Sequence, residues 1–274
     1  GGGQVGDVGV LVFGHEKLSV ADTKRENGLI LHYLQKAPKD LSAPVKAVVS
    51  GSKRKASAAN HTATHLMHHA LREVLGSHVE QKGSLVNSQN LRFDFSHFQK
   101  VSKEELGKIS EIVNGAILDN HALKENRTAN IEEAKAQGAM ALFGEKYGDT
   151  VRVIQFGESV ELCGGIHVDS TAQIGKFILK SESAVAAGVR RIEAITLEKA
   201  NELISSEFEL LADVRDLLKN PKDLKKQVQS LLEQNTALTK EVEQFQKEKT
   251  KALKNELLAE VSSINDINFL AKRV

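Results

Sequence analysis

Ser57-Ala58-Ala59-Asn60-His61-Thr62-Ala63-Thr64-His65-Leu66-Met67-His68-His69-Ala70-Leu71-Arg72-Glu73-Val74-Leu75 is followed by Gly76. The run predicts an amphipathic helix over 57–75, with Gly76 as the residue that stops it. Ala63, Leu66, Met67, Ala70, Leu71 and Val74 occupy one side of that helix. His61 and His65, four residues apart, lie about 40° apart around the axis on the opposite side. His68 shares that side and His69 lies slightly beyond it. The polar stripe is expected to face a cleft or solvent. Two neutral imidazoles so placed can reach one Zn²⁺ at about 2.0–2.1 Å.

The flanks of this helix mix short strands and short helices. Leu91, Phe93 and Phe95 alternate with Arg92 and Asp94, the pattern of a half-buried strand. Ser102-Lys103-Glu104-Glu105 forms a capping box ahead of an apolar stripe of Leu106, Ile109, Ile112, Val113, Ala116 and Ile117. Asn130-Ile131-Glu132-Glu133 opens another short helix. Stretches 151–156, 176–180 and 189–195 read as strands. No strict strand–helix rhythm runs through them, which favours an α+β fold over a doubly wound sheet.

Further out, residues 1–50 read as short strands with glycine-rich turns, a small β-barrel, partial at its start. Gly1-Gly2-Gly3-Gln4-Val5-Gly6-Asp7 superficially resembles a phosphate loop, but no strand precedes it and no Gly-Lys-Ser/Thr follows. From Thr196 the chain turns helical, with Leu197, Ile204, Leu211 and Leu218 at sevenfold spacing. Asn220-Pro221 breaks this helix. A second carries Leu224, Val228, Leu231, Asn235, Leu238, Val242, Phe245, Lys249 and Ala252 as a heptad seam. An antiparallel hairpin and a dimerising coiled coil both fit that seam. Residues 264–274 form a strand-like stretch with nothing evident to pair with. The expected organisation is therefore 1–50 barrel, 51–195 a two-layer α/β domain, 196–262 helical hairpin or coiled coil, and 263–274 the start of a further module.

Composition narrows the function. The 274 residues carry 37 Lys+Arg against 36 Asp+Glu, a net charge of +1. There is no global basic field, so any nucleic-acid contact must rest on local patches. Tryptophan is absent and aromatics are 4%, which argues against base-stacking platforms. No apolar run reaches the roughly 20 residues of a membrane span. One cysteine excludes an internal disulfide, and a reducing cytoplasm is the expected compartment.

That cysteine lies in Cys163-Gly164-Gly165-Ile166-His167. Two glycines let the backbone fold tightly enough for thiolate and imidazole to aim at one point. Taken separately, a surface histidine face and an inert buried thiol are ordinary. Together His61, His65, Cys163 and His167 make the mixed nitrogen and sulfur set that selects zinc. Thr62 follows the first histidine where zinc proteases carry glutamate, so peptide hydrolysis of that kind is disfavoured.

These two motifs resemble the editing domain of alanyl-tRNA synthetases and of the free-standing alanyl-tRNA editing proteins. Residues 81–86 (QKGSLV), 91–95 (LRFDF), 138–145 (GAMALFGE) and 187–194 (AGVRRIEA) agree with it. So does the opening GGQVGD, similar to the glycine-rich loop of the barrel preceding that domain. The likeness is dense over residues 1–196, and the tail matches in position and character only. One departure is Ile166, where the family often carries threonine, which would remove a hydroxyl near the substrate.

The resemblance implies a fragment of an enzyme that joins alanine to its tRNA using ATP and Mg²⁺ in a segment outside this chain. This piece would hold the proofreading activity, hydrolysing the esters of Ser-tRNA(Ala) and Gly-tRNA(Ala) with zinc in the site. It also implies a catalytic role for Gln81. Four protein ligands make a closed zinc site, so either His167 or Cys163 is loose, which puts Cys163 in the catalytic set, or zinc shapes the pocket while other groups place the water. Lys53-Arg54-Lys55 and Arg190-Arg191 are the candidates for gripping the tRNA acceptor end. Adjacent strand residues point to opposite sides, so at most one of Arg190 and Arg191 faces RNA. A free-standing deacylase and a non-catalytic zinc-stabilised module that binds tRNA or forms a homodimer are the competing readings.

Overall fold

In a computed structural model of the chain, residues 3–136, 138–140, 148–265 and 267–271 are described. The chain divides into two compact units, Gly1–Ser205 and Ser206–Val274. Of the 138–145 motif, residues 141–145 lie outside the described residues.

The first unit opens with β1 (Gly9–Phe13), β2 (Glu16–Glu26), β3 (Leu29–Leu34) and β4 (Val45–Val49), an antiparallel sheet in the order β3-β2-β1-β4. Asn27 (φ 49°) and Gly28 (φ 83°) make the two-residue turn between β2 and β3. Two positive φ values suit the right-handed twist of a hairpin. Among the described residues the edge strands β3 and β4 do not pair with each other, so the expected barrel is an open sheet. Residues 35–44 supply no strand to bridge the edges, and β4 runs almost directly into a helix.

That helix, α1 (Gly51–Leu75), begins six residues before the predicted start at Ser57. Lys53, Arg54 and Lys55 thus sit in its first turns. Next come β5 (Gln81–Val86), β6 (Leu91–Ser96), α2 (Lys103–Leu118), β7 (Lys124–Asn130), α3 (Ile131–Ala136), β8 (Thr150–Phe156) and β9 (Ser159–Leu162). After a short 3-10 turn at Thr171–Ile174, β10 (Ile178–Ala186) and β11 (Val189–Ile195) complete the unit. Ser102 caps α2 as predicted: its hydroxyl accepts from the Glu105 amide, and Glu105 accepts from the Ser102 amide at 2.8 Å.

Two antiparallel sheets result, β10-β11-β6-β5 and β7-β8-β9. Helices α1 and α2 pack on each other and on the first sheet, with Phe93, Phe95, Met67, Leu71, Ile109 and Ile192 fully buried between them. Each such side chain contributes about 1.5–3 kcal/mol through burial. Strand β9 also lies against α1, which carries the chain from β9 into the Cys163 turn beside the histidines.

Helix α4 (Leu197–Leu217) leads into the second unit, and Lys219 (φ 61°) and Asn220 (φ 53°) end it before Pro221. Helix α5 (Leu224–Ala259) is capped by Asp223, whose carboxylate accepts from the Lys226 amide at 2.9 Å. Among the described residues no side chain of α5 is buried, so the hairpin, one of the two arrangements the seam fits, leaves it uncovered. The predicted unpaired strand is corrected too: β12 (Ser262–Ile264) pairs with β13 (Ile267–Phe269) in a small hairpin. Its turn residue Asn265 (φ 54°) tolerates the left-handed region, a local signal absent from an apolar-run reading. Among the described residues no helix is long and apolar enough to cross a membrane.

Candidate metal centre

The histidine face of α1 points inward. His61, His65 and His68 are 2%, 4% and 5% exposed, against the expectation of a cleft or solvent. The apolar face of α1 is taken by the sheet and α2, while β9, the Cys163 turn and Gln4 cover the polar one.

The structure brings His61, His65, Cys163 and His167 together, each offering one ligand atom, all within 4.8 Å of one another. Cys163 Sγ lies 3.4 Å from His61 Nε2 and 3.4 Å from His167 Nε2. A tetrahedron with ordinary Zn–N and Zn–S bonds has edges of about 3.3–3.6 Å, which these two sulfur–nitrogen distances match. Burial holds all three imidazoles neutral: His61 falls to about 4, and His65 and His167 fall well below the usual range. Neutral rings are the form a metal takes. Burial pushes the Cys163 thiol up to about 11, so without a cation it stays protonated and a poor nucleophile.

Close approach depends on Gly165. A Cβ there would meet His61 Cε1 at 2.0 Å, whereas one on Gly164 would meet nothing within 4 Å. The turn is pinned by Arg152, whose Nη1 donates to the carbonyls of Cys163 (2.9 Å) and Gly165 (2.6 Å). Arg152 Nε donates in turn to Glu125 at 2.5 Å.

Several partners of the ligands were not predicted. Thr62 Oγ1, read only as the absence of a protease glutamate, lies 3.1 Å from His167 Nδ1 and accepts from the Val168 amide. Glu161 is buried with one oxygen 3.3 Å from His65 Nε2 and the other 3.0 Å from His68 Nδ1. Burial alone would raise its carboxyl, yet these two rings hold it below the usual value. Gln4 Oε1 lies 2.9 Å from His61 Nδ1. These contacts join residues distant in sequence, and the only local signal was the acidic residue two before Cys163.

The remaining predicted residues lie elsewhere. Gln81 begins β5, half-buried, and among the described residues its side chain hydrogen-bonds none of the four. Lys53, Arg54 and Lys55 are exposed, and Arg54 pairs with Asp7. Arg190 pairs with buried Glu182 at 2.5 Å, and Arg191 grips Asp94 through two bonds of 2.6 and 2.8 Å. Both guanidinia therefore have partners inside the sheet.

Residues 151–193, which include the Cys163 turn, match the family described as threonyl and alanyl tRNA synthetase second additional domain. The chain is 51% identical over 275 residues to the alanine–tRNA ligase of Christiangramia forsetii, covering 100% of this chain and 32% of the relative. It is 54% identical to that of Bacteroides fragilis, over 98% of this chain and 31% of the relative. The chain is homologous to a segment of the alanine–tRNA ligases. A third relative, from Flavobacterium psychrophilum, is 50% identical across 100% of this chain and 32% of its own length. The chain thus spans about a third of the length of the curated relatives it matches.

Proposed function

We propose that this chain is the proofreading part of an alanine–tRNA ligase, hydrolysing the aminoacyl ester of Ser-tRNA(Ala) and Gly-tRNA(Ala) in a zinc-containing site. The observation that carries the reading is the convergence of three neutral imidazoles and the Cys163 thiol within 4.8 Å. A hydrolytic site is needed because a pocket for alanine rejects glycine by only about 1–3 kcal/mol and cannot strongly exclude serine's extra hydroxyl. Attachment of alanine with ATP and Mg²⁺ would belong to the parent enzyme outside this third.

His61, His65, Cys163 and His167 would hold the zinc, which when bound supplies Lewis acidity toward an ester carbonyl or a water. Thr62 and Gln4 keep two of the rings turned toward Cys163. Arg152 sets the height of the thiol by holding its own turn. In this reading Gln81 positions the water or the substrate carbonyl, and the acceptor end of tRNA enters beside α1. Three cations at a helix N-terminus stand at the end where the helix dipole already favours anions, which supports Lys53, Arg54 and Lys55 as phosphate contacts.

Deacylation of Ser-tRNA(Ala) by this chain, with and without chelator and in Cys163→Ala, tests the reading. Activity is expected to be lost in both; full activity in either rejects a working zinc site. Lys53→Glu with Lys55→Glu is expected to weaken tRNA binding and lower the salt slope by about 0.7–0.9 per lost phosphate contact. An unchanged slope removes these lysines from the interface.

A further inference from the structure

We infer that Gln4 is a positioning residue that fixes which ring nitrogen of His61 is turned toward the metal. The inference rests on the zinc reading above. It follows from what each partner can donate. The Ile166 amide is a donor only, and it lies 2.9 Å from Gln4 Oε1. That atom is therefore the carboxamide oxygen, because an NH₂ there would face another donor. The same oxygen lies 2.9 Å from His61 Nδ1, so Nδ1 carries the ring proton and donates. A neutral imidazole has one such proton. Nε2 is left with its lone pair, 3.4 Å from Cys163 Sγ.

One carboxamide thus ties together the two halves of the site, His61 on α1 and the backbone of the Cys163 turn. The glycine-rich opening explains how it gets there. The Val86 amide donates to the Gly3 carbonyl at 2.9 Å and the Val5 amide donates to the Val86 carbonyl at 3.0 Å, so Gln4 is strapped between two anchors on the end of β5. Gly3 takes φ 77°, and a Cβ on it would overlap the Ser84 carbonyl oxygen at 2.1 Å. A Cβ on Gly6 would overlap the Thr23 carbonyl oxygen at 1.8 Å. Only glycine permits backbone that close. The run that looked like a phosphate loop delivers an outer partner to a histidine ligand. Such partners fix the tautomer and ring orientation of the ligand they hold.

The test uses the full chain, wild type against Gln4→Met and Gln4→Glu, with three readouts. Zn²⁺ affinity by chelator competition is expected to fall about 10- to 100-fold in Gln4→Met. Gln4→Glu keeps an acceptor for both N–H groups and is expected to restore it. Nitrogen NMR of the metal-free wild type, independent of any variant's folding, is expected to find His61 protonated on Nδ1. Equal zinc affinity in wild type and Gln4→Met, or a His61 proton on Nε2, overturns the inference. A wild type that binds no zinc rejects the metal centre itself, and the position of the His61 proton then still decides whether Gln4 holds the ring.

Discussion

Helices α1 and α5 both carry a regularly spaced stripe, and each puts it where the simple rule says it does not belong. On α1 the stripe is histidine and it is buried, with His61 and His65 2% and 4% exposed. On α5 it is aliphatic and aromatic and it faces out, with Leu238, Val242 and Phe245 59%, 54% and 69% exposed. The difference lies in what each stripe can find inside the chain. Imidazoles can be buried because His61, His68 and His167 have hydrogen-bonding neighbours in Gln4, Glu161 and Thr62, and His65 faces the Glu161 carboxylate at 3.3 Å. An apolar seam needs a second apolar surface of matching length, and among the described residues none covers α5.

The largest blow to the α1 side of this contrast is Gly165→Ala. Its methyl would fall on the His61 ring, and the variant is expected to lose the capacity to take up Zn²⁺ proposed above and about 1–3 kcal/mol of stability. Metal analysis and thermal melting check it; a variant that keeps both shows that the turn can yield.

Acid is the next lever. The His61 ring accepts a proton near 6.5 when unfolded but only near about 4 when folded, and His65 and His167 shift in the same direction. The unfolded state therefore binds more protons. Stability of the metal-free chain is whole above pH 6.5 and falls as the pH drops from 6.5 toward 4. The slope is about 1.4 kcal/mol per pH unit for each ring that charges only on unfolding. Denaturant titrations at pH 7, 6 and 5 measure it, and a flat profile would mean the rings are not buried as drawn.

The smallest effect belongs to α5. Leu238→Asp with Phe245→Asp is expected to change the stability of residues 1–205 by less than about 0.5 kcal/mol while abolishing any self-association of the chain. Sedimentation of both proteins sharpens the contrast. A monomeric wild type would mean the seam stays bare in solution.

What could be read from the sequence was what local chemistry determines. The Ser102 capping box, the stop at Gly76 and the break at Asn220-Pro221 each depend on a few adjacent residues, and each is found. The pairing of His61 and His65 with the Cys163 turn was legible because rare residue types recur at ligand spacing. The inward direction of the histidine stripe was not, since it depends on β9 and Gln4 arriving from elsewhere in the chain. Nor was the open sheet, because barrel closure is settled between edge strands rather than within them. Arg190 and Arg191 show the same limit: basic side chains look alike in sequence whether they meet a phosphate or, as here, Glu182 and Asp94.

Arg152 joins two reference frames. The imidazoles of His61 and His65 ride on a helix, whereas the thiol's height is set by a planar guanidinium stretched between Glu125 on β7 and the carbonyls of the turn after β9. A small rigid slip of α1 against that three-stranded sheet would therefore reach the site as a change in nitrogen-to-sulfur distance. The interior packing of the unit works as the ruler by which the four donor atoms are spaced.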